Sequence, residues 1–271
     1  MQLSASEQTK LKAYGKWAIV TGASSGIGAE LARQLAGSQV NLILVSRGTE
    51  ALEALSLELK TTHSIQCRTL SLDLSKIENT KQLLEAISEL DIGLVALAAG
   101  YGTSGHFLQA DLEQELNMLD LNCQAVLAQT HYFAQRFAER GKGGIILFGS
   151  LVGFQGTPYA AHYAATKAYV QTLAEALHVE LKASGVDVLS AAPGPVSTRF
   201  AERANMQMGT ALRPEDVGVP ILRALGKRQT VLPGFLTKFL VGSLRTLPRW
   251  GKVRVMKLVM GGMTEHQREA S

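Results

Sequence analysis

The sequence predicts an α/β protein, a single doubly wound domain on a parallel sheet of seven strands with helices on both faces. Three observations lead there. From residue 17 to about residue 232, short aliphatic or β-branched runs alternate with segments long enough for helices, the pattern of repeated βαβ units. The runs are almost continuously apolar, as strands are when helices cover both faces of their sheet. At 271 residues the chain has a length that doubly wound folds commonly use as one unit, and no repeat, low-complexity tract or linker divides it.

The first strand, at 17–20, reads Trp-Ala-Ile-Val and runs into a turn of small residues, after which a helical segment covers 29–35. Strands at 40–45 and 65–70 follow, each a run of strand length. The fourth, at 94–98, leads into Ala99-Gly100, and the fifth, at 145–148, closes on Gly149-Ser150. A sixth at 186–190 precedes Pro193-Gly194-Pro195, and the seventh, at 230–232, is short. Right-handed crossovers place the C-terminal ends of all parallel strands on one edge. Open α/β sheets bind their ligands at that edge.

Composition supports a packed globular core, with 46% hydrophobic and 18% charged residues. Cys67 and Cys123 are the only cysteines and form no Cys-x-x-Cys pair, so both are read as reduced thiols. The first fifteen residues are polar, with Glu7, Lys10 and Lys12, unlike a signal peptide. No stretch approaches the roughly 18 apolar residues of a membrane span. A cytoplasmic protein is therefore expected. His63, His106, His131, His162, His178 and His266 fall in no metal-binding pattern, so no metal is expected, and no nucleic-acid partner either.

The net charge of +4 is uneven. Between Asp216 and Glu265 there is no acidic residue but nine basic ones, and without those nine the remaining basic residues are fewer than the 23 acidic ones. The basic character is thus local to the C-terminal region, which points to a patch and its partner.

After the first strand stands Thr21-Gly22-Ala23-Ser24-Ser25-Gly26-Ile27-Gly28. Small residues let the backbone turn tightly, and the helix start beyond them offers N–H groups and a positive dipole to a pyrophosphate. Tight turns also need glycine for purely conformational reasons, so the placement after strand one carries the reading. At the end of strand two, where an acidic residue would hold the ribose hydroxyls of NAD, the chain has Ser46-Arg47. A guanidinium there suits the additional phosphate of NADP. Asp73, at the end of strand three, has two readings: a contact to the adenine amino group, or a cap for a helix beginning near Ser75.

Tyr163 and Lys167 stand four residues apart at the start of the helix after strand five, which puts phenol and ammonium on one helical face. A phenol with an unperturbed pKa near 10 needs a nearby cation to act near neutrality. Of the six tyrosines only Tyr163 has a lysine at that distance. Ser150, at the end of strand five, offers a hydroxyl for a substrate oxygen.

Together these motifs resemble the short-chain dehydrogenase/reductase family, from residue 16 to about 232. The glycine turn, Ser150, the Tyr163–Lys167 pair and Pro193-Gly194-Pro195-Val196-Ser197-Thr198 match its motifs in order and spacing. The resemblance implies a Rossmann-type sheet and hydride exchange between a nicotinamide and a carbonyl or alcohol carbon. Tyr163 would then exchange a proton with the substrate oxygen, Ser150 would steady that oxygen, and Lys167 would lower the tyrosine pKa and bind the nicotinamide ribose. Asn122 falls where the family holds a proton-relay water. With the contacts read above at Ser46 and Arg47, and Asp73 in the first of its two readings, the expected cofactor residues are Gly22, Ser24, Ser25, Gly26, Ile27, Gly28, Ala99, Gly100, Tyr163, Lys167, Pro193, Val196 and Thr198. One departure stands out: where the family has Asn-Asn-Ala-Gly, this chain has Leu97-Ala98-Ala99-Gly100, which removes a side-chain tie between central strands.

Tyr101 and His106, after strand four, have two readings, substrate contact or loop packing. Residues 197–212, with Phe200, Met206 and Met208, are expected to form a loop over an apolar substrate. Residues 233–264 form a basic amphipathic extension, with Phe235, Leu236, Phe239, Leu240, Leu244 and Leu247 at helical spacing among Lys238, Arg245 and Arg249. Such an extension lies on an anionic membrane, meets an acidic acyl carrier, or packs on the body or a sister subunit. The sequence thus predicts an NADP(H)-dependent oxidoreductase forming a homodimer or homotetramer. Its rivals are a non-catalytic NADP-binding sensor or scaffold, which needs no proton donor, and a sugar-nucleotide epimerase or dehydratase, which carries a differently spaced glycine motif.

Overall fold

The computed structural model describes residues 2–209 and 211–269, with side chains described as far as residue 267. Helix α1 (Ala5–Tyr14) precedes β1 (Trp17–Thr21), α2 (Gly26–Gly37), β2 (Asn41–Ser46), α3 (Thr49–His63), β3 (Cys67–Ser71) and α4 (Ile77–Ala86). The second half runs β4 (Ile92–Leu97), α5 (Leu112–Leu119), α6 (Ala125–Glu139), β5 (Gly143–Phe148), α7 (Ala161–Glu180) and β6 (Val186–Ala191). After it come α8 (Arg199–Arg203), α9 (Glu215–Ala224), β7 (Thr230–Val231), α10 (Phe235–Arg245), α11 (Arg249–Met263) and α12 (Glu265–Glu269).

The seven strands are parallel in the order β3-β2-β1-β4-β5-β6-β7. This is the doubly wound arrangement expected from the sequence, and its topological switch point lies between β1 and β4. Every residue of β1, β4 and β5 is buried, which is why these strands read as unbroken apolar runs. Successive residues nonetheless face opposite ways. Ala18 and Val20 join a core under α2, α3 and α9, whereas Ile19, Val95 and Ile145 join a second core on the other side. Each fully buried Leu or Ile in these layers stabilises the fold by about 1.5–3 kcal/mol relative to an exposed one. A third, smaller cluster joins Met118, Val152, Tyr163, Met206, Leu244, Met256 and Met260 at the end where the strands terminate.

Helix α1 was not anticipated. Ser4 and Glu7 cap its start reciprocally, and Arg223 of α9 pairs with Glu7 at 2.7 Å. The Arg223 guanidinium holds the Glu7 carboxyl down to about 2. Lys10 donates to the Leu225 carbonyl at 2.8 Å, and Tyr14 bonds Asp187, so α1 ties the N-terminus to the edge of β6.

The C-terminal extension consists of two helices. Helix α10 stops at Arg245 and Pro248 caps the start of α11, because a proline has no N–H with which to continue the earlier ladder. Among the described residues no helix is long and apolar enough to cross a membrane. Both cysteines are free and buried.

Candidate active site

A cavity of about 340 Å³ opens at the C-terminal ends of the strands, beside the switch point. Its phosphate end is the turn from β1 to α2. Gly22 sits at φ +67°, and a Cβ there would meet the Ala98 carbonyl and the Ala99 nitrogen at 2.9 Å. A Cβ on Gly28 would lie 2.4 Å from the Gly22 oxygen, so the helix start and the turn touch through hydrogen atoms alone. Ser25, the N-cap of α2, makes no side-chain capping bond. The first-turn N–H groups of α2 thus keep no side-chain partner, and Ser24, Ser25, Gly26, Ile27 and Gly28 line the cavity. This end fits a pyrophosphate.

Ser46 and Arg47 line the same cavity beyond β2. Arg47 is exposed, and its guanidinium makes no salt bridge or side-chain hydrogen bond among the described residues, while its backbone oxygen accepts from Ser71 at 2.9 Å. The backbone is held and the charged end is free to meet an anion. Asp73 also lines the cavity, yet its carboxylate accepts from both the nitrogen and the hydroxyl of Ser75, at 3.1 and 2.8 Å. It closes the turn leading into α4, which begins near Ser75 as expected, at Ile77, with Lys76 and not Asp73 at its N-cap.

Ala99 and Gly100 form the next stretch of wall. The strand tie missing at Ala98 is supplied by Thr21, whose hydroxyl accepts from the Ala99 nitrogen at 3.0 Å. Across the cavity, Pro193, Val196 and Thr198 follow β6. The Thr198 hydroxyl caps α8 by accepting from Phe200 N at 3.2 Å, and its methyl group packs on Gly26.

Ser150, Tyr163 and Lys167 meet on one wall. Tyr163 and Lys167 are 7% and 8% exposed, and the ammonium lies 5.8 Å from the tyrosine ring centre. Lys167 donates to the Phe148 carbonyl at 2.9 Å. Burial lowers its pKa from 10.5 to about 8. Burial likewise pushes the Tyr163 phenol well above its ordinary value, with the Ser150 hydroxyl pulling the other way. The expected lowering of the tyrosine by Lys167 does not appear in this geometry, because desolvation dominates and the ammonium is turned to Phe148.

Asn122 stands behind this wall and does not line the cavity. The chain between α5 and α6 widens to a π-helix over Asp120–Gln124, which brings Asn122 inward to 1% exposure. Its side chain bonds the Tyr101 backbone in both directions, at 2.8 and 3.2 Å, and donates to Thr166 at 3.1 Å. It thereby joins the loop after β4 to the residue preceding Lys167.

The loop residues divide. Tyr101 lines the cavity, whereas His106 packs edge-on against Tyr159 at 5.2 Å and His162 faces the Glu115 carbonyl at 3.1 Å. The segment 197–212 contributes Phe200, Met206 and Met208 to the lining, and Thr210 within it lies outside the described residues. Phe200 packs on Tyr163 with ring centres 5.3 Å apart. The sequence reading missed the opposite wall, Met256, Val259, Met260 and Met263 of α11, and also Arg199 and Arg203 of α8. The recurrence of methionine at 256, 260 and 263 at helical spacing was the available signal.

The short chain dehydrogenase family model matches residues 16–209. The chain is similar to a very-long-chain 3-oxoacyl-CoA reductase of Neurospora crassa, 40% identical over 188 residues, which are 66% of this chain and 57% of that protein. The match therefore spans little more than half of that relative's length. Similarity to a 7beta-hydroxysteroid dehydrogenase of Clostridium sardiniense is 33% over 229 residues, 83% of this chain and 88% of the relative. Among solved structures, a short-chain dehydrogenase from Sphingobium yanoikuyae in complex with NADPH resembles this chain with a TM-score of 0.76 at 30% identity, covering 80% of this chain and 86% of that one.

Proposed function

This chain belongs to the short chain dehydrogenase family, and from that premise we propose that it is an NADP(H)-dependent oxidoreductase interconverting a carbonyl and an alcohol, with Tyr163 as its general acid and base. One observation carries the reading: a single cavity is lined by the uncapped start of α2, by the unpaired Arg47 and by Ser150, Tyr163 and Lys167. A site that only sensed a nucleotide would have no need of the last three.

NADP(H), when bound, supplies or takes up the hydride at its nicotinamide. The chain's own residues do the rest. The start of α2 binds the pyrophosphate and Arg47 the ribose phosphate, a charge-assisted contact that a carboxylate at this place would oppose. In the direction of reduction Tyr163 gives its phenolic proton to the substrate oxygen while Ser150 donates a hydrogen bond to the same oxygen. Burial suits the phenol to this task by keeping its proton in place until a charged oxygen forms. The Lys167 ammonium, on the same helical face and 5.8 Å from the ring centre, would stabilise the phenolate left behind once it turns from the Phe148 carbonyl. Asn122 is a positioning residue that braces the wall through Tyr101 and Thr166.

The substrate is taken to be an apolar ketone or aldehyde. Phe200, Met206 and Met208 on one side and Met256 and Met260 on the other give the cavity an adaptable apolar lining. The names of the two relatives, which speak of an oxoacyl-CoA and a hydroxysteroid, agree with that class. Leu116, Leu119, Leu127 and Tyr169 expose apolar surface on α5, α6 and α7, which supports a homodimer or homotetramer.

A panel of aliphatic, steroidal and aromatic carbonyls, followed by NADPH absorbance, tests the activity. Oxidation of NADPH with bulky apolar ketones is the expected result. Tight NADPH binding without turnover of any carbonyl would favour the sensor.

A further inference from the structure

The polypeptide beyond residue 209, where the family match ends, builds α10 and α11. These helices carry a surface that the proposed chemistry does not use. Their inner faces are core: Val241, Leu244, Met256 and Met260 are buried, the last three in the cluster that also holds Tyr163. Their outer faces are apolar and basic. Phe235 and Phe239 are 83% and 59% exposed and stack on one another, and Trp250 and Leu258 are 64% and 78% exposed. Between Phe235 and Met263 the sequence places Lys238, Arg245, Arg249, Lys252, Arg254 and Lys257 and no acidic residue. None of these six forms a salt bridge among the described residues, and Arg254 lies over the Trp250 ring at 5.0 Å.

An apolar patch of this kind calls for an occupant. A second copy seated on the same face across a two-fold axis would set six cations against six. An anionic bilayer would instead neutralise them, and aromatic residues interleaved with lysine and arginine are the composition of helices that lie in the headgroup region. No described helix is both long and apolar enough to cross a bilayer, so the contact proposed is in the plane of the surface.

We infer that the outer face of the α10–α11 pair docks on an anionic phospholipid surface. Helix α11 is shared between this face and the cavity, because Val259 and Met263 line the cavity while Leu258 turns outward. Substrate dissolved in lipid would thus meet the lip of the cavity at the docking face. That second step rests on the oxidoreductase reading, whereas the docking itself does not.

The full chain is floated with vesicles of equal parts phosphatidylcholine and phosphatidylglycerol, and with pure phosphatidylcholine vesicles, at low and high salt. Co-flotation with the anionic vesicles at low salt, and release at high salt, are expected. Lys238→Glu/Arg245→Glu/Lys257→Glu should weaken the partition by about 100-fold or more, and Phe235→Ser/Phe239→Ser/Trp250→Ser should abolish it. Failure of the unmodified chain to float with anionic vesicles overturns the docking, as does binding unchanged by the charge reversal. If the aromatic variant instead lowers the molar mass in light scattering and the unmodified chain ignores lipid, the face belongs to a second copy. Should a variant fail to fold, the salt dependence of the unmodified chain decides alone. Absence of ketone turnover by a chain that floats as expected counts against the proposed activity and leaves the docking standing.

Discussion

Replacing Lys167 by methionine gives a stability change whose pH dependence follows from the structure. Lys167 is 8% exposed, its ammonium donates to the Phe148 carbonyl, and burial takes its pKa from 10.5 to about 8. Below pH 8 the ammonium is charged in folded and unfolded chains alike, and the folded state bears the full cost of desolvating it. Between pH 8 and 10.5 the folded chain has released the proton while the unfolded chain retains it, so stability rises with pH. Above that window both forms are neutral and the cost is gone. The interval corresponds to about 3 kcal/mol. Lys167→Met removes the titrating group and also the bond to Phe148, an offset of about 1 kcal/mol that lacks the window's pH dependence. Urea unfolding of both proteins should therefore show the unmodified chain gaining about 3 kcal/mol on the variant across the window. The difference between the two cancels the other titrating groups. A difference that stays flat from below pH 8 to 10.5 would refute the buried ammonium.

Two further outcomes are expected. Arg47→Asp should lower the preference for NADP over NAD by roughly 10- to 100-fold, the value of one charged hydrogen-bonded contact; an unchanged ratio of kcat/KM for the two cofactors would remove Arg47 from the phosphate site. Gly28→Ala places a methyl group 2.4 Å from the Gly22 oxygen, a backbone atom that cannot rotate aside. NADPH affinity, read by the quenching of protein fluorescence, should fall steeply together with Tm, and near-normal binding would show that the turn is looser than described.

The sheet was legible because its strands are buried on both faces, so β1, β4 and β5 appear in the sequence as bare apolar runs. Their ends were less so, since ladder pairing and not residue type decides where a strand stops. The phosphate turn and the Tyr163–Lys167 pair could be read because each is local: a few consecutive residues, or one helical turn. The environment of that pair could not. Desolvation by Phe200 and the third core cluster, and the turning of Lys167 to Phe148, depend on segments far away in sequence. Helix α1 leaves only a short signal in the sequence, the capping pair Ser4 and Glu7. The wall formed by α11 is obscured in the sequence because the basic apolar pattern spans Pro248, where the chain breaks and begins a second helix. Asn122 was accessible only through resemblance and its π-turn not at all, since nothing in the local pattern marks a widened turn.

Turnover by Tyr163→Phe against the best carbonyl substrate, with NADPH affinity measured in parallel, bears most directly on the catalytic assignment. Loss of the phenolic proton should leave affinity near normal and reduce kcat by roughly 10²–10⁴-fold. A variant that binds NADPH and reduces the ketone at the unmodified rate would show that the proton comes from elsewhere.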